Sequence, residues 1–590
     1  MRIALGRGHD GDASGEKRKK PSNLIYDVDE RPPLLVTCVL ALQHVVVMAV
    51  GWIFVVVIVS GMGGTSQQTQ AMIRTAMIAS GVATMLQARR GPVGSGYLCP
   101  LSTGPAYIPA SILAGQVGGL PLLIGMTTAS GAFEVVLSRV IHKLRVLFPP
   151  EVTGLVVAMV GIALVKMGCV RFFGYGVGSG GGSGGALDPR ATAVGAITLL
   201  VMMAPTIWSK SKLRLYPVLL GLVVGYASAL ALGVMKVEHL HETFAAPWLS
   251  LPRRAPGAGF AFHPALLAPF LLASLSSVLK TVGDLTLCQK INDAHWKRTE
   301  MHSVGGGILA GAIGTTISAL TGGTGQSTFS SNVGLSMATG VTSRTVAVPA
   351  GLLLIGLAFF PKLAAVFAVI PVPVMGAVLV YVTCFMILGG LQLMTARMLD
   401  VRRTFVLGIS IIFGLSVDVV PGLYQHLPAM LQPIFTTELS LATVLVVTLN
   451  MLFRIGVAKT QTMQVLPYDE RIEDVVMNFM EERGAAWGMR KEVEERAAEA
   501  IYELMLTLRG LGVSSPVNVK VRFDEFSLRA DLDYMGVPVQ LPEAPPSFAE
   551  LNDSETATTL LSGYIVRQRS DRVSVNAANG NCRVHLQFEH

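Results

Sequence analysis

The chain has 590 residues, 51 % hydrophobic and only 14 % charged, and its mean hydropathy is +0.55. Soluble domains are about 25 % charged, so this composition excludes a disordered, collagen-like or disulfide-scaffold chain and speaks against an ordinary cytosolic enzyme. The formal charge of +8 is unevenly spread: residues 460–590 hold 13 basic and 21 acidic side chains, which leaves 33 and 17 for residues 1–459. The first stretch is composed like a bilayer-embedded chain and the second like a soluble domain. Basic residues beside apolar segments orient a membrane protein and do not mark a nucleic-acid surface.

Residues 1–33 are polar and basic, with KRKK from Lys17 to Lys20, and read as a cytoplasmic N-terminal tail. The first apolar run begins at Leu34, too late and too long for a cleaved signal peptide. A spanning helix needs about 20 mostly apolar residues. Fourteen candidates follow in chain order: 34–59, 71–88, 96–113, 117–138, 152–170, 192–208, 216–235, 264–288, 304–321, 327–342, 346–369, 374–394, 404–420 and 439–454. With the N-terminus inside, the inner loops hold fifteen Lys and Arg residues and the outer loops five, the bias expected of cytoplasmic loops. The even count returns the C-terminus to the cytoplasm. The tract Gly176–Ala186 reads as a flexible outer loop; it lacks the preceding strand and the Lys-Ser/Thr ending of a phosphate-binding loop. Residues 236–262 read as a second outer loop. The six cysteines form no CxxC pair, so neither a zinc site nor a disulfide framework is suggested.

Residues 457–467 read as a linker and 468–590 as a cytoplasmic domain. Glu470–Arg483 and Arg490–Arg509 have the period of amphipathic helices. Val517–Phe523 and Ser527–Tyr534 alternate as strands do. PEAPPS is a loop, Thr556–Gln568 a third helix, and DRVSVNAA and CRVHLQFE close with two strands. The sum is an α/β sandwich.

The third and tenth segments are rich in Gly, Ser, Thr and Pro: GSGYLCPLSTGPAYIP from Gly94 to Pro109, and TGQSTFSSNVGLSMATG from Thr324 to Gly340. Interrupted spans in corresponding places of two seven-segment halves point to a transporter binding site. The competing reading is two well-packed helices with small residues at close contacts. Ionisable residues at membrane depth are functional candidates. His44, beside Gln43, is either a ligand or a core histidine. Lys280 and Asp284 are spaced i, i+4 on one helical face, as a site or as a structural ion pair. Glu134, Lys166, Lys362 and Arg74 lie nearer segment ends, where snorkelling or local packing suffices.

At these residues the chain resembles the nucleobase–ascorbate transporter family, the xanthine/uracil permeases. The likeness covers about 34–456 and rests on Gln43-His44, Gly283-Asp284, FSSNVGLSMATGVTSR from Phe329 to Arg344 and IPVPVMGAV from Ile370 to Val378. The Thr339-Gly340 ending is closer to the xanthine branch. The resemblance implies an all-α polytopic fold of 14 transmembrane helices in two inverted seven-helix repeats, core and gate. It implies short strands in spans three and ten around the base, and a homodimer through the gate. It also implies symport of a purine such as xanthine or urate across the inner membrane, with proton or sodium as coupling ion and no other cofactor.

Carried over residue by residue, His44, Tyr97, Ser330, Ser331, Asn332 and Lys280 are the substrate-binding candidates, with Gln43, Asp284 and Thr339 in support. The chain departs from the family at Ser331 (usually Gln or Glu), at Lys280 (usually Glu) and at Gly311 (Asp in some members). A cation in place of the carboxylate favours an anionic ligand unless Asp284 neutralises it, or carries the proton itself if desolvated.

The cytoplasmic domain distantly resembles the histidine-kinase-type ATPase domain of anti-sigma-factor kinases, with Glu499 and Glu503 on the corresponding helix. No Asn follows at the family spacing, and DYMGVPV from Asp533 replaces the adenine box. A regulatory or dimerisation module with a cytoplasmic signalling partner is therefore preferred to an ATPase. The alternatives to a nucleobase transporter are a sulfate-permease-like anion transporter, a membrane sensor signalling through the C-terminal domain and, weakest, an enzyme.

Overall fold

The computed structural model describes residues 19–22, 24–144, 149–175, 187–208, 216–235, 247–294, 296, 299–395, 399–420, 422–424, 426–427, 435, 437–454, 456, 458–524, 527–542, 557–578 and 580–589. The Gly176–Ala186 tract, residues 236–246 of the second outer loop, the loop at 543–547, and the loop cations Arg145, Lys210, Lys212, Arg214, Lys236, Lys297, Arg298 and Arg397 lie outside them. The chain divides into two compact units, Met1–Asn450 and Met451–His590.

The first unit is helical. Helices α1 (Leu34–Met48) and α2 (Val50–Gly61) are joined at Ala49, itself in helical geometry. Helix α3 (Ser66–Gln87) opens on a capping box between Thr65 and Gln68, which satisfies two of its free N–H groups. Strand β1 (Leu101–Thr103) leads through a 3-10 turn at Pro105–Tyr107 into α4 (Ile108–Leu144). Non-helical Gly118 and Gly119, just before Pro121, break α4 in two, at the boundary between the third and fourth apolar segments.

Then come α5 (Pro150–Phe172), α6 (Pro189–Trp208), α7 (Pro217–Ala231), α8 (Leu267–Ile291) and α9 (Met301–Thr321). Strand β2 (Gln326–Thr328) precedes the short α10 (Ser330–Thr339). Helices α11 (Ala347–Leu357), α12 (Pro361–Ala368), α13 (Val372–Met394), α14 (Val401–Val419) and α15 (Glu438–Leu452) complete the unit.

Each of the fourteen apolar segments thus carries helix. Among the described residues, seven helical stretches are long and apolar enough to cross a membrane, α1 and α2 counting together as Leu34–Gly61. This is a multi-pass membrane protein. The eleventh segment differs from its expected single span: the stretches Arg344–Leu357 and Pro361–Ala368 are bent by 81°. Pro361, at the first turn of α12, cannot continue the preceding helix and suits the start of the next.

The described part of the N-terminal tail is not free. Ile25 and Tyr26 donate their N–H groups to Gly340 O, and Thr342 N–H returns to Tyr26 O at 3.0 Å. Asp29 pairs with Arg90 at 2.7 Å and Arg344 at 3.0 Å. The segment behind α10 is thereby strapped to residues 25–29.

The second unit holds a five-stranded antiparallel sheet in the order β3-β4-β5-β7-β6: Lys459–Val465, Val517–Phe523, Ser527–Met535, Asn581–Glu589 and Arg572–Ala578. Helices α16 (Ile472–Trp487), α17 (Lys491–Gly510) and α18 (Ala557–Arg569) accompany it. Val476, Ile501, Leu504 and Val566 from the helices share one buried core with Val519, Leu532 and Leu586 from the strands. The stretch 457–467, expected to be a linker, instead supplies β3, paired with β4 from Lys459↔Phe523 to Val465↔Val517. It is an edge strand exposed along most of its length, so it lacks the apolar alternation that betrays a half-buried strand.

Candidate substrate site

Strands β1 and β2 interrupt the third and tenth segments and pair with each other, antiparallel, in the register Leu101↔Thr328, Ser102↔Ser327 and Thr103↔Gln326. Both are wholly buried. Two bonds extend the pairing at its ends: Gly104 N–H to Gly325 O at 2.9 Å, and Phe329 N–H to Pro100 O at 3.0 Å. Each strand runs straight into a helix, so the N-terminal turns of α4 and α10 start beside the pair.

One face of α8 holds β2 in place. Ser277 Oγ donates to Gln326 O at 3.3 Å. Lys280 Nζ donates to Thr328 O at 2.5 Å and to Asp284 Oδ2 at 2.9 Å. Asp284 also accepts from Thr328 Oγ1 at 2.6 Å and from Ser330 Oγ at 2.7 Å. Its carboxylate therefore collects donors from α8, β2 and α10. The Lys280 and Asp284 side chains are 16 % and 9 % exposed, so the ammonium points into the protein and not into lipid.

On the other side, α1 and α2 face β1 and α10. Asn332 Nδ2 donates to His44 O at 3.4 Å, and Ser102 Oγ to Met48 O at 3.3 Å. Gln43 Oε1, His44 Nδ1, Asn332 Oδ1, Thr103 Oγ1 and Ser327 Oγ are buried without a hydrogen-bond partner. Between the two clusters Ser331 is exposed on the first turn of α10.

Of the residues singled out in the sequence, Lys280, Asp284 and Ser330 thus share one hydrogen-bonded cluster. His44 and Asn332 share another, and Gln43 adjoins it in the chain. Tyr97 packs with Val28, Cys99, Cys288 and Val333 in a separate apolar cluster. Thr339 turns its hydroxyl to Leu335 O at 2.9 Å, within its own helix.

Sequence reasoning missed Gln326 and Thr328. Gln326 Oε1 accepts from Ser80 Oγ at 2.7 Å, and its Nε2 donates to Ser318 Oγ and Thr324 O. The two residues flank Ser327 inside the interrupted tenth segment, which was the available signal. Glu134 is no snorkelling end residue: it is 2 % exposed and accepts from Tyr107 Oη. Arg74 is buried and caps backbone, giving Nε to Ala358 O at 2.7 Å and Nη2 to Ser250 O at 2.5 Å.

Close approach is built in at Gly51, where a Cβ would lie 2.0 Å from Ser102 Oγ, and at Gly325, where it would lie 2.5 Å from the Tyr107 ring. Overpacking a filled site costs about 1–3 kcal/mol. Gly51→Ala is expected to displace β1 and to lower both the thermal stability of the purified protein and its transport rate. Gly356→Ala, whose Cβ meets nothing within 4 Å, serves as the control and should leave both unchanged.

Two broken helices that meet through short strands beside buried polar groups define a membrane permease. The sequence profile of a permease family, that of the xanthine and uracil permeases, matches residues 35–423. A Clostridium perfringens protein provisionally named a purine permease is 33 % identical over 433 residues, covering 72 % of this chain and 92 % of its own. A xanthine permease of Escherichia coli is 28 % identical over 73 % of this chain and 95 % of its own. A uric acid permease of Bacillus subtilis is 27 % identical over 72 % and 94 %.

Among solved structures, the murine Slc26a9 anion transporter in its inward-facing state aligns at a TM-score of 0.50 and 9 % identity, over 74 % of this chain and 71 % of that one. That likeness is one of fold alone. The chain belongs to the permease family matched here, the nucleobase–ascorbate transporters; it is a transporter and not an enzyme. The sulfate-permease and sensor readings are not favoured by these likenesses.

Proposed function

We propose that the protein is a symporter that moves a purine nucleobase such as xanthine or urate across the cytoplasmic membrane by alternating access. The observation that carries this reading is the β1–β2 pair with unpartnered polar atoms on one side and Lys280 on the other. Leaving a buried polar atom unpaired costs about 1–3 kcal/mol. His44 and Asn332 are the ring-facing ligands that such a cost favours, since a heterocycle with donors and acceptors on its edges would satisfy them. Ser331 offers a hydroxyl from the first turn of α10, and Tyr97 is the remaining binding candidate, seated in the neighbouring apolar cluster.

Lys280 has three N–H groups. Two go to Asp284 and Thr328, and the third is the donor for an oxo group or anionic nitrogen of the purine. Asp284, Gln43 and Thr339 are supporting residues. Fourteen spans in two inverted repeats, a core carrying this site and a dimeric gate supply the moving parts. Both termini are cytoplasmic by the loop charges, and proton or sodium drives uptake.

The test is competition by a panel of purines and pyrimidines against radiolabelled xanthine, at several pH values and with or without sodium. Lys280→Met is expected to lower xanthine and urate uptake roughly 10- to 100-fold, the worth of a hydrogen bond from a charged donor; Lys280→Arg should retain part of it. Unchanged uptake and pH dependence in Lys280→Met would remove Lys280 from the site.

We assign the second unit a cytoplasmic regulatory role with a signalling partner. A chain lacking residues 460–590 should still take up substrate at a comparable initial rate and lose only its response to cellular state. A truncated chain that is folded but inert in liposomes would make the unit part of the transport machinery.

A further inference from the structure

Glu134 sits at the back of the strand pair. From the turn before α4, Tyr107 Oη reaches its Oε1. The second carboxyl oxygen, Oε2, is buried without a hydrogen-bond partner, and Thr315 of α9 lies on the same side. Tyr107 and Thr315 also hold β2. The Tyr107 ring covers Gly325, and Thr315 Oγ1 accepts Gln326 N–H at 3.1 Å while lying 3.4 Å from Gln326 O.

Among the described residues no cation pairs with Glu134. On α8 the charged groups are Lys280 and Asp284, already bonded to each other, and Lys290 in the last turn; α8 turns Ser274 to the Tyr107 hydroxyl. Helix α9 carries no charged side chain and one histidine, His302, in its first turn. Helix α2, VGWIFVVVIVSG, has no titratable group. Of the other buried carboxylates of this unit, Glu151 meets Arg403 at 3.0 Å and Asp284 meets Lys280 at 2.9 Å, while Glu438, at the start of α15 and away from the strand pair, forms no ion pair among the described residues.

We propose that Glu134 is the coupling-proton site of the transport cycle. This rests on the symporter reading above. A solitary carboxylate in an apolar interior is costly, whereas the carboxylic acid is a neutral donor.

In the ionised state Tyr107 O–H donates to Oε1 and Oε2 is left without a donor. A proton taken from the outer solution adds to one carboxylate oxygen, making an O–H that donates to Tyr107 Oη. The Tyr107 proton then turns to Ser274 Oγ, 3.3 Å away. Release of that proton to the inner solution restores the first pattern. No other bond is made or broken. The Tyr107 ring lies on Gly325, next to β2, so the charge on Glu134 is sensed at the strand pair without Glu134 touching substrate.

The experiment uses the full chain, wild type and E134Q, purified and reconstituted in liposomes with radiolabelled xanthine. One proton per substrate gives a roughly tenfold accumulation ratio per pH unit of gradient. E134Q should lose that accumulation and its pH dependence while keeping xanthine/xanthine counterflow within about twofold of wild type. Tyr107→Phe should shift the pH profile and spare counterflow. E134Q that accumulates xanthine with the wild-type pH profile overturns the proposal, as does equal loss of accumulation and counterflow in a folded E134Q protein. Should E134Q not fold, E134M, which likewise carries no titratable group, is read by the same criteria.

A substrate-independent arm separates this proposal from the symporter reading. The infrared difference between wild type and E134Q at neutral pH should contain a carboxylic-acid stretch that titrates. Its presence with no xanthine uptake by wild type would leave the proton site standing and the substrate wrong. Its absence at every pH sinks the proton site alone.

Discussion

Backbone that leaves the helix inside a bilayer has no water to satisfy it, so its N–H and C=O groups must find protein partners. Residues 101–103 and 326–328 meet that constraint by pairing with each other. Neither half-span could be interrupted alone, because a single three-residue strand would leave its polar edge in hydrocarbon at several kcal/mol per group. The interruption, the pairing and the polar floor around it are one structural decision.

The floor follows from helical periodicity. Ser277, Lys280, Thr281 and Asp284 recur at spacings of three and four, which places them on one stripe of α8. Ser277 and Lys280 bind backbone oxygens of β2, and Asp284 binds the Thr328 and Ser330 hydroxyls. The stripe substitutes for a third strand. Fixing β2 in this way also fixes the start of α10, since only Phe329 separates the two, and so sets where Ser330, Ser331 and Asn332 stand.

Much of this was legible in the sequence, and the misses have physical causes. The i, i+4 spacing of Lys280 and Asp284 was enough to foresee a shared face, and the low hydropathy of 96–113 and 327–342 to foresee two interrupted spans. Composition could not show that the two polar tracts pair in register, because that is a contact between residues more than 200 apart. Glu134 was passed over because distance from a segment end, measured along the chain, was taken for depth. A bond to Tyr107, 27 residues away, holds it inside. The bend between α11 and α12 was signalled by Pro361, but an apolar run of that length hides it. Strand β3 was invisible because an exposed edge strand has no buried face to alternate against.

The chain treats two buried carboxylates in opposite ways, and the contrast bears on how transport is energised. Asp284 is held with Lys280, a pair that is neutral as a unit and is further fixed by two hydroxyls. Protonating it would strip three donors of their acceptor and leave an uncompensated ammonium, so it is poorly suited to gain and lose a proton in each cycle. In the proposed cycle Lys280 therefore supplies a fixed donor, and its partner Asp284 is not the titrating acid. A cycle that moves one proton per substrate must then hold that proton on another group, one whose neutral and ionised states are both accommodated by hydroxyls that can reverse. Tyr107 and Ser274 are hydroxyls of that kind, and Glu134 is the acid at the end of their chain.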